Sequence, residues 1–138
     1  MKLKLITHSP MIETLIATSM LTTTSGAMPS TLFYNLLEKP EKVHGLVSRV
    51  EVQHGNILEH NRFVWKLETS KEKILNILLK KKFFNITRIG ESTWLLSSNL
   101  RTLFEYHNIH KDDFSDLMVE SIKNASPQIY DKIRRREK

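Results

Sequence analysis

Residues 62–79 constrain this chain more than any other stretch, because the apolar period changes there from two to about 3.6. Phe63, Trp65 and Leu67 alternate with Arg62, Lys66 and Glu68, the pattern of a strand with one wet face. Thr69 with Glu72 three residues on reads as a capping box. Ile74, Leu75, Leu78 and Leu79 then recur at helical spacing. A half-buried strand needs partner strands, and they can be sought on either side. "KLKLITH" at the N-terminus alternates Leu3 and Leu5 with Lys2 and Lys4. "FFNITRIG" and "STWLLSS" read as two strands around Gly90-Glu91.

Helical periodicity fills the rest. Ser9-Pro10 is a helix start for Met11, Ile12, Leu15, Ile16 and Met20, and "TTTSGAMPS" (22–30) is a loop. A short helix carries Leu32, Phe33, Leu36 and Leu37. Pro40 opens another, with Val43, Leu46, Val47 and Val50 on one face and His54-Gly55 as its stop. Asn99 is placed to cap a helix with Leu100, Leu103 and Phe104. A final pair carries Phe114, Leu117, Met118 and Ile122, then Ile129 and Ile133, with the restart at Ser126-Pro127. The order β-α-α-α-β-α-β-β-α-α-α predicts an α+β domain, residues 1–138, with a small mixed or antiparallel sheet flanked by helices.

The chain has no cysteine, which excludes disulfides, thiolate zinc sites and thiol nucleophiles. No apolar run is long enough for a bilayer, and His8, Ser9, Pro10 and Glu13 interrupt any signal-like segment, so no membrane partner and a cytoplasmic location are expected. The net charge of +6 suits anionic partners. Lys80-Lys81-Lys82 and the tail 132–138 concentrate it. That tail, with five basic residues and one acid, is expected to fray.

The stretch "QHGNILEHNRFVW" (53–65) leaves three readings open: a metal site, a helix-to-strand turn, or a cofactor-facing turn. The spacing His54…Glu59-His60 matches no common zinc pattern, so no metal site is expected. His54 suits either a helix C-terminal dipole or a ligand, and Glu59-His60 suits a structural hydrogen-bonded pair. No Ser-His-Asp spacing or strand-turn-helix elbow supports a hydrolase, and no catalytic residue is assigned.

A helix, "QHGNILEH", the strand "NRFVWKLE" and another helix together resemble the flavin-dependent thymidylate synthases, the ThyX family. His54 falls on that family's first histidine, Glu59-His60 on its Glu-His pair, and Phe63-Val64-Trp65 on its Phe-x-Phe strand. Downstream, "WLLSSNLRTLFEYHNI" is similar to the family's Asn-x-Arg segment, with Asn99 and Arg101 on the polar positions. "FNITRIGES" is loosely similar to its substrate-binding loop. The likeness spans roughly residues 2–110.

The resemblance implies a flavoprotein that moves a methylene group from folate to dUMP and reduces it through FAD, with sites between subunits of a homo-oligomer. It implies cofactor-binding positions at His54, Asn56, Arg62, Lys80, Lys81 and Asn99, and substrate-binding positions at Arg88, Ser92 and Arg101. The family's Arg-His-Arg signature is replaced by Leu79-Lys80-Lys81, its Ser-x-Arg-Tyr loop is not preserved, and past the Asn-x-Arg its nucleotide-gripping arginine is replaced by His110 and a neighbouring asparagine by Glu105. A carboxylate there repels phosphate, and lysine lacks arginine's planar fork. The expectation is a catalytically degenerate member, a dimer or tetramer that binds FAD or a nucleotide weakly. Two alternatives are a small basic nucleic-acid-binding protein and a non-catalytic partner subunit of a complete thymidylate synthase.

Overall fold

The structure, a computed structural model, describes residues 1–51 and 55–137. Four strands form one antiparallel sheet: β1 (Lys2–His8), β2 (Arg62–Glu68), β3 (Asn85–Arg88) and β4 (Thr93–Asn99), in the order β1-β2-β4-β3. The helices among the described residues are α1 (Ile12–Thr22), α2 (Pro29–Leu37), α3 (Pro40–Ser48), α4 (Gly55–Leu58), α5 (Lys71–Lys80), α6 (Leu100–His110), α7 (Asp113–Ser121) and α8 (Pro127–Arg136). The protein is an α+β domain, as its periodicities predict. None of the described helices is long and apolar enough to cross a membrane.

The strand with the clearest alternation lies inside the sheet. Trp65 of β2 stands opposite Leu5 on one side and Leu96 on the other, and Ile86 of β3 stands opposite Leu96. Phe63, Trp65, Leu67 and Leu96 are each fully buried on that face, together with Leu100, Leu103, Met118 and Ile129 from the covering helices. Neighbouring residues point the other way: the row Lys4, Lys66, Leu95 and Thr87 crosses all four strands and is exposed. A period of two thus sorts one face to the core and one to water.

Three boundaries differ from their sequence expectations, the first two for a tertiary reason. Ser9 does not start α1: its hydroxyl accepts from the Arg62 backbone N–H at 2.9 Å, and its own N–H donates to the Arg62 carbonyl at 2.9 Å. These bonds prolong the β1–β2 edge, and α1 begins beyond Met11, which adopts a left-handed φ of 53°. Thr69 does not cap α5. Its N–H donates to the Ser92 carbonyl and its carbonyl accepts from the Trp94 indole at 3.2 Å, so the cap falls on Ser70, whose hydroxyl accepts from the Lys73 N–H. The helix from Pro40 ends at Ser48 rather than at His54-Gly55, and Gly55 opens the four-residue α4 instead.

Asn99 does cap α6, its side-chain oxygen accepting from the Thr102 N–H at 2.8 Å. At the C-terminus, where fraying was expected, α8 continues to Arg136.

Candidate functional site

β2 and β4 run antiparallel with Arg62 opposite Asn99, and this pairing sets the candidate site. Asn99 ends β4 and caps α6, so Arg101 leaves the first turn of that helix beside Arg62. The connector from α5 to β3 brings Lys82, and the residue after α4 brings Glu59. The result is a cleft of about 400 Å³ whose polar lining includes Glu59, Arg62, Lys82, Asn99, Arg101 and Glu105.

Arg101 and neighbouring Lys81 are answered by the chain's own acids, whereas Arg62 and Lys82 have no ion-pair partner among the described residues. Arg101 donates from Nε to Glu105 at 3.0 Å and from its terminal nitrogen to Glu59. The other oxygen of Glu105 accepts from Lys81. Hydrogen bonds donated to Glu59 and then to Glu105 raise the Arg101 pKa, and the Lys81 hydrogen bond, ahead of that from Arg101, holds Glu105 below the ordinary carboxylate range against burial. Among the described residues, the Arg62 side chain makes only a long hydrogen bond, 3.4 Å, to the Ser97 hydroxyl. Lys82 sits over the Phe83 ring at 5.7 Å.

Arg62, Asn99 and Arg101 therefore come together, with Lys81 joined through Glu105. The other singled-out residues lie elsewhere. Lys80 pairs with Asp112 at 3.0 Å. Arg88 donates to the carbonyls of Gly90 and Glu91 and lies over Trp94, holding the β3–β4 turn. Ser92 serves that turn's neighbourhood through its carbonyl. Asn56 is exposed on α4, and its carbonyl accepts from the Glu59 N–H at 3.4 Å. His54 lies outside the described residues. Glu59, expected to pair with His60, turns to Arg101 instead.

Two partners in the cleft escaped the sequence reading. Lys82 belongs to the run Lys80-Lys81-Lys82, and nothing local marks it off from its two neighbours as the one that lines the cleft. The Arg101–Glu105 bridge was legible, since residues four apart share a helix face; reading Glu105 only as a repulsive group hid it.

This donor set offers a pyrophosphate few free cations: Arg101 and Lys81 are held by Glu59 and Glu105, Lys80 by Asp112, and Asn99 is spent on its cap, which leaves Arg62 and Lys82 without an ion-pair partner among the described residues.

One further constellation is hydrolase-like in composition only. His107 contacts the Ser115 hydroxyl through Nδ1 at 2.8 Å and Glu137 through Nε2. Ser115 is fully buried and its hydroxyl donates to the Asp112 carbonyl, so it presents no nucleophile; the contact fastens the end of α8 onto α6. In the tail, Arg134 is turned onto Asp116, Glu120 and Glu137. That leaves less of the basic cluster for a nucleic-acid backbone than the sequence suggests.

No protein-family model matches the chain, and no curated protein matches it.

Proposed function

We propose that this chain is a catalytically degenerate relative of the flavin-dependent thymidylate synthases: an oligomeric scaffold without turnover, in which binding of FAD or a nucleotide is weak. The observation that carries the reading is the run of bridges Glu59–Arg101–Glu105–Lys81 in the cleft. Arg101 occupies a position that the resemblance gives to substrate binding, yet it is already bound twice. A phosphate entering there must displace a carboxylate and stay beside it, which costs the attraction that positioning requires. The reading rests on the order of helix, turn, strand and Asn-x-Arg in the sequence, together with an α+β fold of compatible class.

Assembly is supported by an apolar stripe. Leu75 and Leu79 on α5 are 59% and 78% exposed, and Phe83 just beyond is 60% exposed. Sedimentation is expected to show a dimer or tetramer that Leu79→Glu shifts toward monomer. A wild-type chain that sediments as a monomer at all concentrations removes this part of the reading.

The direct test is the absorption of the untreated protein between the near-ultraviolet and blue, before and after adding FAD, with calorimetry for dUMP. Little bound flavin and weak dUMP binding are expected. Glu105→Gln frees Arg101 and Lys81 from one negative charge, and is expected to tighten dUMP binding roughly tenfold. Tight flavin and dUMP binding by the wild type, with rescue of a thymidine-requiring strain, overturns the claim of lost activity. Indifference of dUMP binding to Glu105→Gln overturns the assigned cause.

A further inference from the structure

A second cleft, sharing no lining residue with the first, opens between α3 and α8 with a volume of about 350 Å³. That size lies at the lower end of the range for small-molecule sites. Its floor is one face of α8, where Gln128, Asp131, Lys132 and Arg135 recur at i, i+3, i+4 and i+7. His44 of α3 and Glu13 of α1 complete the charged and titratable lining.

Most of these groups have structural duties. Glu13 accepts from the Ser126 hydroxyl at 3.0 Å and from the Gln128 N–H at 3.2 Å, bracing the start of α8. The Gln128 side chain donates to the His44 carbonyl at 2.7 Å, and Lys132 donates to the Ser48 carbonyl at 2.9 Å, tying α8 to α3. Burial, followed by the neighbouring Arg136, lowers the Lys132 pKa.

The His44 ring, Asp131 and Arg135 are the exceptions, and the last two carry opposite charges. These two stand four residues apart on one helix face, the spacing at which opposite charges usually meet. Yet among the described residues neither has a hydrogen-bond or ion-pair partner, while Arg101 and Arg134 elsewhere are bridged repeatedly. The cleft thus holds an unanswered carboxylate and an unanswered guanidinium, borne on backbone positions about 6 Å apart along the helix axis. Gln128 Oε1, buried close by, has no donor among the described residues.

We propose that the α3–α8 cleft binds a small zwitterion, an α-amino acid or similar amine-bearing acid, with Arg135 taking its carboxylate and Asp131 its ammonium. A guanidinium fork suits a carboxylate bidentately, and the acid one turn toward the start of the helix suits the amine. The cations alone would describe an anion site; the unpaired Asp131 among them selects for a ligand that also carries positive charge.

The test is calorimetry on the full chain at low salt with the twenty free amino acids, their amides, their N-acetyl derivatives and inorganic phosphate. At least one free amino acid is expected to bind, with a loss of roughly tenfold or more for its amide and for its N-acetyl derivative. Asp131→Asn and Arg135→Ala are each expected to cause a similar loss without moving the thermal midpoint of the free protein, since both side chains are exposed. Binding by none of the panel overturns the proposal. So does an amide that binds as well as its parent, phosphate binding as tight as the amino acid, or unchanged binding by both variants. The dUMP and FAD measurements above are independent of every one of these outcomes.

Discussion

Trp65→Ala is expected to lower stability by about 3–5 kcal/mol, the range for removing a large aromatic from a core. Trp65 is fully buried in a sheet interior, between Leu5 and Leu96 on the flanking strands. Its ring stacks on Phe63 with centroids 5.7 Å apart, and its indole N–H donates to the Ser121 hydroxyl of α7 at 2.7 Å. Truncation opens a cavity where sheet and helices meet, and removes a bond between them. A typical domain has only about 5–15 kcal/mol to lose, so the urea midpoint should fall far toward zero. Trp65→Phe keeps most of the volume and is expected to cost less than half as much. Helical circular dichroism during urea titration reads both variants. A Trp65→Ala midpoint equal to that of the wild type is incompatible with this core.

Asp112→Ala is expected to cost about 2–4 kcal/mol, from a lost helix cap worth about 1 and a stranded buried hydroxyl worth about 1–3. One oxygen of Asp112 accepts from the Ser115 N–H at 2.8 Å and caps α7. The other accepts from the Tyr106 hydroxyl at 2.6 Å and from Lys80 at 3.0 Å. Tyr106 is fully buried as a residue, and burial with the Asp112 bond raises its pKa above the ordinary phenol value. Asp112→Asn retains a good cap and an acceptor, so it should cost clearly less.

The same carboxylate predicts an acid limit. Burial pushes the Asp112 pKa up, but the bonds from Tyr106, the Ser115 N–H and Lys80 outweigh it and leave the pKa below the ordinary value. Glu105 is lowered as well. A depressed folded pKa contributes stability that is complete above the unfolded value, about 4, and is lost as pH falls through the folded one. The urea midpoint is therefore expected to change little on acidification until about pH 4 and then drop, less steeply in Asp112→Asn. A wild-type midpoint unchanged down to pH 2 contradicts the assigned bonds.

Much of the fold was legible in the sequence because its cause is local. The alternation around Trp65 reports a pleated surface with one dry side, and the spacing of Val43, Leu46 and Val47 reports a helix with one buried stripe. Asn99 was readable as a cap for the same reason: its partner, Thr102, is three residues away. Errors arose where a distant segment competed for a local group. Ser9 was claimed by Arg62, and Thr69 by Ser92 and Trp94, so their expected caps moved or vanished. Arg62, Asn99 and Arg101, singled out in the sequence, line one cleft, but the Glu59 partner of Arg101, 42 positions away, was not legible.

The amino-acid order alone determined which residues turn inward and where most helices and strands lie, since side-chain direction follows the backbone repeat of each element. It also determined that thiol chemistry is absent. Only the tertiary structure decided which charges are answered. Arg101 meets Glu59 from 42 positions away, and Lys80 meets Asp112 from 32 positions away, while Asp131 and Arg135, only four apart, remain apart. Such pairings depend on how elements dock, and no periodicity along the chain encodes that distance.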